Sequence, residues 1–176
     1  MDSLTSHTRC ASPAPCLLLA WGNRSRGDDA LGPLLLDRIQ HWLEGQPLAY
    51  RWSVECLEDQ QLQIEHLLDL RGRQNVLFID ATMGLQTAFS ASTLTPCRDH
   101  SVTTHALSPQ AVLQAYQDVL GEPPPPCQLL GLRAGRFGLD NAPSPQALAD
   151  LAEAEVWLQS WLQRCVPRAA AVPCVQ

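Results

Sequence analysis

The run Cys16-Leu17-Leu18-Leu19-Ala20-Trp21-Gly22-Asn23-Arg24-Ser25-Arg26-Gly27-Asp28-Asp29-Ala30-Leu31-Gly32-Pro33 decides the fold of this 176-residue chain. Its first six residues are continuously apolar, the pattern of a strand buried on both faces. Leu34, Leu35, Arg38, Ile39, Trp42 and Leu43 follow at spacings that share one helical face. Between strand and helix lies a tight turn, bent at Gly22 and Gly27, that carries the adjacent carboxylates Asp28 and Asp29. A helix N-terminus favours negative charge because its first N–H groups lack partners, so the pair can cap the helix. One Asp suffices for capping. The two glycine bends predict a backbone shaped to present the second carboxylate for chemistry.

Working outward, the same alternation repeats. Arg51 to Leu57 reads as a second strand, and Leu62, Leu67, Leu68 and Leu70 have helix-like spacing that ends near Gly72. Asn75-Val76-Leu77-Phe78-Ile79-Asp80 is a third strand closed by a carboxylate, and residues 87–95 form a weak strand suited to an edge. Ser108-Pro109-Gln110 opens a helix that runs to Gly121, with Ser as N-cap and Pro in the first turn. Pro123 to Pro126 form a stiff connector. Cys127 to Leu132 is the last strand, and Ser144-Pro145-Gln146 starts the last helix. Residues 1–14 read as a flexible tail, 15–166 as a single α/β domain, and 167–176 as a second tail. Buried strands separated by single helices imply a largely parallel sheet covered on both faces.

Such sheets gather their chemistry outside the carboxyl ends of the strands. Asp29 lies just past the first strand and Asp80 at the end of the third. His105, in Ser101-Val102-Thr103-Thr104-His105-Ala106-Leu107-Ser108, stands three residues ahead of a helix cap. The three make a two-carboxylate, one-histidine set drawn from three loops, and should converge on one point. Hard oxygen plus imidazole ligands suit a divalent transition ion such as nickel, manganese or zinc. His7, His41, His66 and His100 have no such company. Glu58 and Glu65 read as solvated charges.

Composition narrows the functions. The net charge of −6 argues against nucleic acid and against an anionic membrane as partner. All twelve basic residues are arginine, which removes Schiff-base lysines, the phosphate-loop lysine and Ser–Lys dyads. Seven cysteines without a C-x-x-C pair fit a reducing compartment, and no run is long enough for a secretory or membrane-spanning segment. These features place the chain in the cytoplasm.

Gly22-Asn23, then Gly27-Asp28-Asp29-x-x-Gly32, then a hydrophobic strand ending in Asp80, then a His ahead of a helix resembles the nickel-iron hydrogenase maturation endopeptidases. The resemblance spans roughly residues 16–165, nearly a whole domain. It implies a three-layer α/β/α sandwich around a five-stranded, mostly parallel twisted sheet. It implies removal of a C-terminal extension from the nickel-loaded hydrogenase large-subunit precursor, with Asp29, Asp80 and His105 as the metal-contacting and catalytic positions. Many members carry Asp-Gly-Gly-Thr after the second strand; here Glu58-Asp59-Gln60-Gln61 lacks the glycines, so the loop geometry must differ. Ser25 to Asp29 and Leu62 to His66 look most like the branch that processes soluble, NAD-linked hydrogenases.

Three protein ligands leave an ion unsaturated. With no C-x-x-C or H-E-x-x-H to hold a permanent metal, the set fits a metal that arrives on the substrate's thiolates, and no cofactor is expected to be permanently bound. The resemblance implies that this metal is the precursor's nickel, used as a recognition anchor. No G-x-S-x-G elbow is present, and direct attack by water is the simpler route, with the metal or a carboxylate polarising the scissile bond. Two other readings use the same residues. One is a non-catalytic metal-delivery or precursor-binding module. The other is a nucleotide-binding α/β domain, disfavoured because two aspartates repel phosphate.

Overall fold

The computed structural model describes residues 12–98 and 107–166. The expected strand β1 (Cys16–Trp21) forms as an interior strand of the sheet, with Cys16 to Ala20 fully buried. Period-two alternation sends Cys16, Leu18 and Ala20 to one face and Leu17 and Leu19 to the other. Flanking it are β2 (Val54–Asp59) and β3 (Asn75–Met83), both parallel to β1. β5 (Cys127–Ala134) adds in parallel to β3, and β4 (Phe89–Thr93) closes the sheet antiparallel to β5. The order β2-β1-β3-β5-β4 leaves the Ser- and Thr-bearing strand at an edge, as its small residues predict.

One face of the sheet is covered by α1 (Leu31–Glu44) and α4 (Pro145–Cys165). Leu31, Leu35, Ile39 and Leu43 of α1 recur every four residues and all are buried, as are Leu151, Ala154, Leu158 and Leu162 of α4. A leucine fully removed from water contributes about 2 kcal/mol, so these two stripes are a large share of the core energy. The other face is covered by α3 (Pro109–Leu120), through Val112, Leu113 and Tyr116, and by a 3-10 turn over Ile64–Leu68. The result is the α/β/α sandwich around a five-stranded, mostly parallel sheet.

Both Ser-Pro-Gln segments start helices as their chemistry dictates. Ser108 Oγ accepts from Ala111 N–H at 3.2 Å and Ser144 Oγ from Ala147 N–H at 3.3 Å. Gly121 ends α3 in the left-handed conformation, φ +69°. Two expectations change. The leucines at 62–70 build only the short 3-10 turn, because Leu62, Leu67 and Leu70 reach the core from an irregular backbone. A four-residue helix, α2 (Leu48–Arg51), precedes β2, which therefore starts at Val54 and not at Arg51. Of the two expected tails, residues 1–11 and 167–176 lie outside the described residues; Ala14 accepts a hydrogen bond from Arg73 Nη1 at 2.8 Å. No helix among the described residues is long and apolar enough to cross a membrane.

Candidate active site

Uneven strand ends create the site. Pairing of β1 with β3 stops at Ala20 opposite Ile79, whereas β3 continues beside β5 to Met83 opposite Ala134. Asp80 is thus the first residue of β3 beyond its β1 neighbour, not the last of the strand as the sequence suggested. By alternation it falls on the face of Val76 and Phe78. Asp29 arrives from the turn after β1. Gly22 adopts φ +143°, and a Cβ there would collide with the Asp29 carbonyl oxygen, so only glycine lets the turn fold back. Gly32 allows the start of α1 to sit on the strand ends: a Cβ there would lie 2.9 Å from the Trp21 carbonyl oxygen. Asn23 N–H donates to Asp29 Oδ2 at 3.1 Å, while Asn23 Oδ1 accepts from Ser25 N–H at 2.9 Å.

Asp29 and Asp80 line one cleft of about 350 Å³, together with Asn23, Arg26, Gln60 and Gln61, between apolar walls from Trp21 and Leu62. Burial pushes the Asp80 carboxyl up to about 7; the Ala81 N–H opposes this and the nearby Asp29 carboxylate adds to it. A carboxyl with that affinity can hold or release a proton near neutrality, and a cation placed between the two acids would favour the ionised form of both.

Asp28 has a different task from the capping role its position suggested. It is fully buried, and neither carboxylate caps the helix that follows. Asp28 Oδ2 accepts from Gly135 N–H at 2.8 Å and Arg136 N–H at 2.9 Å, and Oδ1 from Ser144 N–H at 2.6 Å. Burial alone would raise its pKa, but these bonds and one from the Ser144 hydroxyl outweigh it and hold the group below the usual carboxylate range. Asp28 therefore ties the turn to the end of β5 and the start of α4, leaving Asp29 free to face the cleft.

No protein-family model matches the sequence, and no curated protein matches it. Solved structures do. The nickel-iron hydrogenase maturation protease HycI from Thermococcus kodakarensis KOD1 superposes with a TM-score of 0.65 at 22% identity, covering 87% of this chain and 95% of that one. The hydrogenase maturating endopeptidase HybD from E. coli gives 0.63 at 23% identity, covering 85% and 92%. A hydrogenase 2 maturation peptidase from Thaumarchaeota archaeon SCGC_AB-539-E09 gives 0.59 at 21%, covering 84% and 97%. The fold is that of the hydrogenase maturation proteases.

Within that maturation-protease fold, two of the three expected site residues, Asp29 and Asp80, come together. His105 belongs to residues 99–106 and lies outside the described residues; Leu107, the next one described, lines the cleft. Among the described residues no group of three His, Cys, Asp or Glu is arranged to hold a metal ion. Glu58, read as a solvated charge, is instead half of a clamp. Arg24 donates to both Glu58 oxygens at 2.7 and 2.6 Å and to both Asp37 oxygens at 2.7 and 2.8 Å, joining the turn to β2 and α1. Glu65 is exposed. The glycine-free loop after β2 is shaped by Asp59: its Oδ1 accepts from Gln60 N–H at 2.6 Å, and its Oδ2 lies 3.4 Å from His66 Nε2. Arg26 stands in the same turn as Asp29 and could have been read from it, whereas the place of Gln60 and Gln61 in the cleft and the Asp28 and Arg24 ties depend on residues distant along the chain.

Proposed function

We propose that this chain is an endopeptidase that removes the C-terminal extension of a nickel-iron hydrogenase large-subunit precursor after nickel insertion. The observation that carries the reading is the cleft shared by Asp29 and Asp80 at the carboxyl end of the sheet, on a fold also found in the maturation proteases. His105, two residues before the cleft-lining Leu107, supplies the third ligand. Two oxygens and one imidazole leave coordination positions on the nickel for the precursor's own thiolates, so the metal is part of the substrate. The enzyme reads it as proof that loading is complete.

The cleft favours water as nucleophile. None of its described lining residues carries a hydroxyl, thiol or amine. Asn23, Gln60 and Gln61 offer amide donors and acceptors suited to an extended peptide backbone. The five described cysteines are all free, which suits action in a reducing cytoplasm, and the Ser25–Asp29 turn favours a precursor of the soluble NAD-linked type.

The test is mass spectrometry of a nickel-loaded precursor incubated with the chain. The reading expects a discrete mass loss at the C-terminus, abolished in Asp29→Ala, Asp80→Ala and His105→Ala, while His41→Ala cleaves normally. A precursor that binds the chain but keeps its mass would make this a binding module instead.

A further inference from the structure

We infer that Arg26 is a further catalytic residue: its guanidinium takes the carbonyl oxygen of the scissile peptide bond as negative charge develops on it. The inference rests on the peptidase reading above and adds a role for a residue that reading does not use.

Three observations carry it. First, Arg26 is the one cation among the described residues lining the cleft, alongside Asp29 and Asp80. Second, no described residue forms an ion pair or side-chain hydrogen bond with its guanidinium, although two carboxylates share the cleft. Arg24, two residues earlier in the same turn, by contrast pairs with both Asp37 and Glu58. Third, the backbone beneath Arg26 is held from both sides. Arg26 N–H donates to Asn23 O at 3.0 Å and Arg26 O accepts from Asp29 N–H at 3.3 Å. Across the gap, Gly27 N–H donates to Asn141 O at 3.0 Å and Asp140 N–H to Ser25 O at 2.7 Å. The fixed backbone sets where the side chain starts, and a guanidinium with no partner among the described residues is available to a substrate oxygen in the cleft.

The chemistry has a place for such a donor. Water adds to the carbonyl carbon: a C–O bond forms, a cleft carboxylate takes the proton, and the C=O π electrons move onto oxygen. Arg26 donates hydrogen bonds to that oxyanion. The C–N bond then breaks, its electrons stay on nitrogen, and nitrogen takes the proton back, leaving a carboxylic acid and an amine, which become carboxylate and ammonium when the acid's proton passes to the amine. No electrons are gained or lost overall. The described cleft holds no other permanently charged donor, and the chain has no lysine to substitute.

The experiment measures single-turnover cleavage of nickel-loaded precursor by the wild-type chain, Arg26→Ala and Arg26→Lys, with precursor affinity measured separately. Arg26 is exposed, so the variants should keep the wild-type thermal midpoint. The expected result is a rate of cleavage lower by about 100-fold in Arg26→Ala, as for loss of one oxyanion donor. Affinity should change less than about threefold by the same logic of transition-state-only contact. Arg26→Lys should recover part of the rate, and free guanidinium should recover part of it in Arg26→Ala, which a merely structural role would not allow. Wild-type cleavage by Arg26→Ala, or a loss confined to affinity, overturns the Arg26 assignment and leaves the peptidase reading standing. Failure of the wild-type chain to cleave overturns both.

Discussion

Asp80 sits where burial and a neighbouring carboxylate both favour its protonated form, and this has a thermodynamic signature. Its folded pKa of about 7 stands above its ordinary value of 3.8, so between these limits the folded protein binds more protons than the unfolded chain. Stability from this group is complete below about pH 4 and lost as pH rises through about 7. Asp80→Asn removes the titration, and at pH 8 it should melt above wild type, by roughly 2–4 °C for each kcal/mol recovered. At pH 4 the gain should vanish. Thermal midpoints at both pH values check this, and an Asp80→Asn protein that melts lower at pH 8 would contradict the burial account. At this scale the sequence was informative about which residues bear charge and poor on what they touch. Asp29 and Asp80 stood out because strand ends are visible locally. Asp28 looked like a helix cap because its true partners, Gly135, Arg136 and Ser144, are more than 100 residues away in the chain.

Asp28 acts at the level of elements: one buried carboxylate holds the β1–α1 turn, the end of β5 and the N-terminus of α4 together. Removing it leaves three backbone N–H groups without their acceptor. Asp28→Ala should therefore cost about 3 kcal/mol or more, lowering the melting midpoint by roughly 6–12 °C in a domain of this size. Asp29→Ala, one residue along from the same latch and facing the cleft, should change it little. Calorimetry of the two variants side by side distinguishes them; equal midpoints would show that the Asp28 bonds carry no net stability. The helices that bear their own start signals were legible, since Ser-Pro-Gln names the N-cap and first turn without tertiary help. The leucines of 62–70 misled because their spacing fits a helix, whereas the core accepts them from a 3-10 turn and flanking loop. β3 outran its expected end because Ala81 to Met83 are held by pairing with β5, a neighbour that sequence pattern does not reveal.

For the whole molecule, the alternation of apolar runs with helical stripes was enough to specify a largely parallel sheet covered on both faces; that its weak edge strand runs antiparallel came only from the structure. Every long apolar run had to be buried on two faces, and few other architectures achieve that in one domain. What the sequence alone could not assemble was the cleft, which combines the step between β1 and β3, the turn after β1 and the loop after β2. Under the proposed function this cleft reads a metal-loaded precursor. The direct measurement pairs elemental analysis of the purified chain with cleavage of the same precursor prepared with and without nickel. If the nickel comes with the substrate, the purified chain holds well under one metal ion, cleaves the nickel-loaded precursor and leaves the nickel-free form intact. A stoichiometric, tightly held metal in the purified chain, together with equal cleavage of both precursors, would contradict it.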